Sequence, residues 1–416
     1  MTIKTGKGPI SFMAVLAIWS ISLTVNLPGL AITPMLDTLQ QIFPHTTQLE
    51  IQLLTSLPNL LIIPFVLLSG KLSMSNHKIG VVVWALVIYL GCGIAYMFAR
   101  SMTALIVISA LLGCGCGLLI PLAAGLLADT FTGKYRMKQL GIKSGISNLA
   151  LVVATLLVGV LAKSHDWRIP FLVYLIPAIP LALSPFLRRI PDSDLYYQAP
   201  TQPQRQEIRQ NSPAGTMLRD GFYVKRIWAL IGVYFFVCLS ILAISYYLPF
   251  LAASRHVDSA VTGTATSLMY LAIFLPGFLL PQVTRLLKGH TFLICTILMG
   301  LGLLLIGLFP CELSFCAGAL LTGAGYGVFQ PLIYDKATQT VISPRKSTLA
   351  LSFVLAANYL SISVAPFLTD GLANLLHCHS ERFPFMLNVV LSAAFAALVI
   401  IYRKSFIFRV DKEYYS

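Results

Sequence analysis

Charged residues are scarce in this sequence of 416 residues. Asp, Glu, Lys and Arg together make up 11% of the chain, against about a quarter in ordinary soluble domains. Hydrophobic residues make up 57%, and the mean hydropathy is +0.82. No stretch is long and polar enough to form a separate water-soluble domain, which argues against a soluble protein. We therefore expect an integral membrane protein that has the lipid bilayer as a partner.

Motifs for catalysis and for cofactor binding are also missing. The sequence has no His-Glu-x-x-His motif, no paired mid-span Asp and no activated Ser or Cys with a base, so we do not expect an enzyme. The eight cysteines lie mostly in apolar runs, where a thiol behaves as a small hydrophobic group. Pairing of Cys311, Cys316 and Cys378, which fall in or near short loops on one side, stays open. We expect neither a metal nor a cofactor.

Long apolar runs are abundant and predict the architecture. A hydrocarbon core about 30 Å thick is crossed by about 20 apolar residues in a helix. The runs have this length and lack strict alternation, which predicts an all-α polytopic membrane protein with twelve transmembrane helices. The predicted spans are 10–32, 51–70, 79–98, 102–128, 141–162, 168–187, 227–251, 261–283, 291–309, 313–334, 347–372 and 384–402.

The basic residues predict the orientation of these helices. The net charge of +14 would raise nucleic acid as a partner in a soluble protein, but here the basic residues lie between the spans or at their edges. Cytoplasmic segments hold the positive excess, and with both termini in the cytoplasm 24 of the 29 Lys and Arg residues fall on that side. None is expected deep in a span. Short loops without an Asn-x-Ser/Thr acceptor favour a bacterial inner membrane.

One polar segment divides the chain. Residues 188–226 are rich in Pro, Gln, Ser and Arg and are predicted to form a cytoplasmic linker. The linker separates a six-helix bundle at 1–187 from a second six-helix bundle at 227–416.

An internal repeat supports this division. Gly-Cys-Gly-Cys-Gly at 113–117 recurs as Gly-Ala-Gly-Tyr-Gly at 323–327, an offset of 210 residues. At the same offset Asn148 matches Asn358. The glycines are outside any strand-to-helix turn, so we expect them to permit close helix packing rather than to bind phosphate.

Two parallel six-helix repeats joined by a basic loop resemble the major facilitator superfamily of secondary transporters. The stretch from Gly70 to Lys78 is similar to the Gly-x-Leu-Ala-Asp-Arg-x-Gly-Arg loop of that family, although Met74 stands in the place of its Asp. Trp167 and Arg168 resemble the usual start of the sixth helix. The resemblance implies a fold of two pseudo-repeats that moves a solute by alternating access.

Transport requires polar groups near mid-membrane that face the interior of the bundle. The side chains predicted to line a substrate cavity are Asn26, Asn59, Asn148, Tyr270, Gln330 and Asn358. Alternatively, these side chains bond to neighbouring helices as packing contacts. For Asn148 and Asn358 we favour the cavity, because a repeat-related pair would face the same axis.

Acidic residues fall at the ends of the predicted spans. Asp37 and Asp370, on the outer side, are candidates for proton coupling or for an outer gate. On the inner side we expect Asp129 to lie near Lys134 and Arg136. The predicted inner gate consists of Asp129, Arg136, Asp335 and Arg345.

These features predict secondary active or facilitative transport of a small organic solute, and drug-type efflux is favoured. The alternative is uptake of an amphipathic, bile-salt-like organic acid or of a sugar-like solute by symport or uniport. A membrane sensor or scaffold without flux is an alternative of another class. We expect a monomer that binds a small-molecule substrate and no nucleic acid.

Overall fold

The computed structural model describes residues 2–6, 8–28, 39, 41–44, 46–75, 77–161, 166–189, 218–219, 221–309, 311–378 and 380–410. Twelve helical spans, α1 to α12, follow one another in these residues. Their bounds are Phe12–Thr24, Gln48–Leu72, Lys78–Phe98, Met102–Thr130, Gly133–Leu161, Ile169–Arg188, Val224–Ala253, Ser259–Phe278, Thr291–Leu308, Glu312–Thr338, Ser347–Leu375 and Phe383–Ile401. A short helix at Leu280–Leu287 lies between α8 and α9. Eleven of the described spans are long and apolar enough to cross a membrane, and α1 is shorter. The predicted all-α fold of two six-helix repeats is confirmed.

The fifth and sixth spans differ from the prediction, the fifth in its start and the sixth in its continuity. α5 begins at Gly133, well before the predicted start at 141, and this places Lys143 in its third turn. α6 is broken into the 3-10 segments Ile169–Leu175 and Ser184–Arg189 with the short α-helix Ala178–Leu183 between them. Proline lacks an amide donor and interrupts a helix, and this span contains Pro170, Pro177, Pro180 and Pro185.

Glycines set the helix packing in the same way in both halves. In the first half α4 packs on α2, and a Cβ added at Gly117 would lie 2.9 Å from the carbonyl oxygen of Ile62. In the second half α10 packs on α8, and a Cβ added at Gly327 would lie 2.5 Å from the carbonyl oxygen of Ile273. Any larger residue would push the helices apart, so these glycines permit close backbone contact.

A small hairpin precedes the first helix of each half. The four strands, β1 to β4, are Thr2–Lys4, Pro9–Ser11, Leu218–Arg219 and Phe222–Tyr223. Each turn contains a glycine with positive φ, +88° at Gly6 and +80° at Gly221, a conformation that favours glycine. The amide of Thr132, between α4 and α5, donates to the carbonyl of Thr5 at 3.0 Å. The amide of Ile342, between α10 and α11, donates to the carbonyl of Gly221 at 3.1 Å. The hairpins therefore occupy equivalent places in the two repeats.

The two halves are in close contact near one end of the bundle, which we call the basic end because it carries Lys78, Arg136 and Arg345. A Cβ added at Gly277 of α8 would lie 3.3 Å from the carbonyl oxygen of Gly141 in α5. The interface is therefore tightly packed at the basic end.

Substitution of the packing glycines tests their role. We expect Gly117→Ala and Gly327→Ala each to destabilise the protein by about 1–3 kcal/mol, because the new methyl group overpacks a backbone contact. Thermal unfolding of the purified protein in detergent measures the change. Gly232→Ala in α7 is the matched control, since nothing described lies within 4 Å of its Cβ position. Equal melting temperatures for all three variants would contradict the packing role.

Candidate functional site

A cavity of about 130 Å³ lies between the two halves, near the middle of the helices. Residues from the end of α1 and from α2 and α5 form one wall, and residues of α7, α8, α10 and α11 form the other. Among the described residues no Asp, Glu, Lys, Arg or His lines the cavity. The six side chains predicted for a cavity all lie on its wall: Asn26, Asn59, Asn148, Tyr270, Gln330 and Asn358.

The repeat-related asparagines face this cavity from opposite halves. Asn148 is 4% exposed, and its Nδ2 donates to the carbonyl oxygen of Ser144 at 2.8 Å. In the second half, the Sγ of Cys238 donates to the Oδ1 of Asn358 at 3.0 Å. No described donor reaches the Oδ1 of Asn148. Each asparagine therefore keeps part of its hydrogen-bonding capacity for a group in the cavity.

A cluster of three tyrosines surrounds Gln330 on the side of the cavity toward the basic end. The Nε2 of Gln330 donates to the hydroxyl oxygens of Tyr234 at 3.2 Å and Tyr334 at 3.1 Å. The hydroxyl oxygen of Tyr234 also lies 3.1 Å from that of Tyr326. The Oγ of Ser144 in α5 donates to the Oε1 of Gln330 in α10, so this network crosses between the halves.

Tyr326 and Tyr334 were missed as site residues, although the sequence contains a signal for them. Tyr326, Gln330 and Tyr334 are spaced four residues apart, which places them on one face of α10. Gln330 was predicted to line the cavity, and residues four positions before and after it on a helix lie on the same face, so this spacing also indicates Tyr326 and Tyr334.

Two ion pairs lie at the basic end. The Nζ of Lys78 in α3 pairs with Asp129 of α4 and also donates to the Oγ1 of Thr348 in α11 at 2.7 Å. The predicted neighbours of Asp129 were Lys134 and Arg136, and the ion pair that the structure shows is with Lys78. The reason is that α3 begins beside the end of α4, which brings Lys78 to the carboxylate.

The second ion pair connects the two halves directly. The Nε of Arg136 in α5 donates to the Oδ1 of Asp335 in α10 at 2.6 Å, and the Nε2 of Gln339 donates to the Oδ2 at 2.9 Å. The Asp335 side chain is 1% exposed. Arg345 is exposed in the 3-10 turn before α11.

Asp370, one of the two candidates for proton coupling or an outer gate, does not line this cavity. Asp370 is exposed near the end of α11, and Asp37 lies outside the described residues. Cys311, Cys316 and Cys378 have free thiols.

Lys143 contradicts the expectation that no Lys or Arg lies deep in a span. It is 3% exposed in the third turn of α5, and its Nζ lies 5.4 Å from the centre of the Tyr334 ring. The expectation was wrong because α5 begins at Gly133, so that a residue at the edge of the predicted span is inside the observed helix.

The ion pair between the halves makes a prediction about their movement. In Arg136→Gln the nearly buried Asp335 loses its cationic partner, a change that costs about 3–5 kcal/mol for a buried pair. We expect the closed contact at the basic end to weaken, and amide hydrogen exchange in the first turns of α5 to become faster. Arg136→Gln combined with Asp335→Asn should restore part of the protection. Arg255→Gln, at the opposite end, is the control and should leave exchange in α5 unchanged; unchanged exchange in Arg136→Gln would contradict the prediction.

Comparison with known proteins agrees with this geometry. The family model described as Major Facilitator Superfamily matches residues 10–291 and 233–406. The solved structure of the human organic anion transporter MFSD10 (TETRAN) superposes with a TM-score of 0.68 at 16% identity, over 93% of this chain and 97% of that chain. The proton:xylose symporter XylE, solved with 6-bromo-6-deoxy-D-glucose, superposes with a TM-score of 0.70 at 14% identity, over 97% and 98%.

Two curated relatives match over shorter segments. The multidrug transporter protein MdtP of Bacillus subtilis (strain 168) is 32% identical over 108 residues, which are 26% of this chain and 20% of the relative. A probable 4-methylmuconolactone transporter of Cupriavidus pinatubonensis (strain JMP 134 / LMG 1197) is 32% identical over 136 residues, 32% of this chain and 31% of the relative. The matched part of the chain thus spans about a third or less of these relatives. With its twelve helices, its two repeats and a family match along most of its length, the chain is a multi-pass membrane protein that belongs to the major facilitator superfamily.

Proposed function

We propose that the protein exports a small organic solute, neutral or weakly acidic, by alternating access of the central cavity. The observation that carries this proposal is the repeat-related pair Asn148 and Asn358, which line one cavity from opposite halves. A site between two halves that rock against each other is reachable from either side in turn.

The walls of the cavity define the solute that it suits. They combine aliphatic and aromatic side chains with amides and hydroxyls, and no charged side chain lines them within the described chain. A doubly charged solute would lack partners there, and its desolvation would be costly. A cavity of about 150 Å³ admits benzene, so the 130 Å³ found here suits a solute with one small ring.

Export is favoured over uptake by the segment similar to the multidrug transporter MdtP. The segment similar to the probable 4-methylmuconolactone transporter supports a second candidate, the transport of a small organic acid. The protein acts as a monomer in this proposal. Coupling to a proton through Asp37 or Asp370 stays a prediction.

We propose that the basic end faces the cytoplasm, in line with the excess of Lys and Arg there. In this orientation the closed contact between the halves lies at the inner face of a bacterial plasma membrane. Reporter fusions test it: a fluorescent protein fused after Val410 should fluoresce, and alkaline phosphatase fused there should be inactive. The reverse pattern would contradict the orientation.

Counterflow in proteoliposomes tests the transport activity. Vesicles loaded with an unlabelled solute should transiently accumulate the same labelled solute if a carrier exchanges it. The panel consists of tetraphenylphosphonium, cholate, xylose, benzoate, benzamide and 4-methylmuconolactone, each with and without a pH gradient. Accumulation driven by the gradient would indicate proton coupling, and no exchange of any solute would contradict the proposal.

Alanine variants connect the exchange to the cavity. We expect Asn148→Ala and Asn358→Ala each to lower the exchange rate about tenfold, since each removes hydrogen bonds to the solute. Asn388→Ala in α12 is the matched control, because Asn388 is also buried and also donates to a carbonyl four residues earlier, at 2.9 Å, but lies outside the cavity. A loss of exchange as large in the control as in the two cavity variants would exclude the cavity as the site.

A further inference from the structure

We propose that Lys143 binds the anionic group of the solute, so that the protein carries small organic acids with one carboxylate. This inference rests on the proposed transport function and narrows its substrate class. Lys143 does not line the cavity in the present conformation. The Tyr334 side chain lies between it and Gln330, which lines the cavity.

Lys143 is a buried cation without an acidic partner. It is 3% exposed, and within the described chain no carboxylate lies within ion-pair distance of its Nζ. The face of the Tyr334 ring lies 5.4 Å from its Nζ. The ring does not supply a full negative charge.

Two other charges toward the basic end have a partner of opposite sign. Asp335, which is fully buried, is neutralised by Arg136 across the interface. Lys78 at the edge of the same end is neutralised by Asp129. Since an unpaired charge among apolar helices is costly, an ionisable residue inside a span that lacks a partner points to a functional role.

The position of Lys143 relates it to the cavity. The next residue, Ser144, donates to the Oε1 of Gln330, which lines the cavity, and the Nε2 of Gln330 donates to Tyr334, whose ring carries the ammonium group. A lysine side chain has a flexible stem and moves its charge over several Å while the stem stays buried. A carboxylate among Asn148, Gln330 and Asn358 would therefore attract the ammonium from the ring toward the cavity.

The same position couples the binding of an anion to the movement of the halves. Lys143 belongs to α5 of the first half, and Tyr334 belongs to α10 of the second half. When the halves separate at the basic end, the contact between ammonium and ring breaks and Lys143 faces the opened space. A carboxylate bound to Lys143 would replace the contact that is lost, so the cation stays partnered in both conformations.

Binding of two probes that differ in charge tests the inference. Benzoate and benzamide share one ring and nearly the same size, and only benzoate carries a negative charge at neutral pH. A scintillation proximity assay on the purified full-length protein gives the affinity for each labelled probe. We expect the wild-type protein to bind benzoate about tenfold to a hundredfold more tightly than benzamide, the range that a charge-assisted hydrogen bond supplies.

Three variants separate a binding role from a structural one. Lys143→Met should lower the affinity for benzoate about tenfold or more and leave that for benzamide nearly unchanged, so the preference disappears. Lys143→Arg keeps the charge and should keep a preference. Lys336→Met is the matched control, because Lys336 is 2% exposed with its Nζ 5.1 Å from the Phe406 ring, away from the cavity. This control should keep the wild-type preference.

The outcomes distinguish this inference from the proposed function. A wild-type protein that binds benzamide as tightly as benzoate, or a Lys143→Met variant with the wild-type preference, overturns the role of Lys143 and leaves transport of neutral solutes standing. If Lys143→Met unfolds, two measurements still test the role of Lys143: the preference of the wild-type protein for benzoate over benzamide, and the same preference in Lys143→Arg. Absence of binding and of counterflow for every probe overturns the proposed function as well.

Discussion

Every polar group within the membrane-spanning helices is constrained by the absence of hydrogen-bonding partners in lipid. Backbone amides and carbonyls must be satisfied within the span that contains them, and a helix achieves this for all of its interior residues. The same constraint applies to the side chains, and it moves amides, hydroxyls and charges to the interface between the two halves. The Tyr234, Tyr326 and Tyr334 hydroxyls satisfy one another and Gln330 there.

Contacts between the halves add polar side-chain pairs to the close glycine packing that also occurs within each half. Within each half, helices meet through backbone atoms, as at Gly117 against Ile62 and at Gly327 against Ile273. Water does not replace such a close backbone contact, so these contacts keep the six helices together as a unit. Between the halves, polar side chains such as Arg136 with Asp335 form much of the connection. Water replaces a partner of this kind when the interface opens, so the arrangement allows two rigid units to move against each other.

The charges are distributed unevenly between the cavity and the basic end. The cavity itself has a neutral wall, and the ion pairs lie at the basic end, where the halves are in contact. Lys143 lies between these two regions, on a helix that contributes to both. A cation at this place adds one positive charge to a neutral site, which favours a solute with a single negative charge over a neutral or a cationic one.

The sequence by itself determined the fold class, because apolar runs of about 20 residues leave the backbone no solution in lipid except a helix. It also pointed to six polar residues that line the cavity, since a polar side chain in mid-span is costly in lipid and is therefore expected at the interface. It predicted neither the start of α5 at Gly133 nor the burial of Lys143, because a basic residue at the edge of a hydropathy window reads as a loop residue. Only the tertiary structure decided that Asp129 pairs with Lys78 and that Arg136 pairs with Asp335, 199 residues away. The choice of partner depends on which helix ends lie side by side, and this is a property of packing between helices that the pattern along any single helix does not contain.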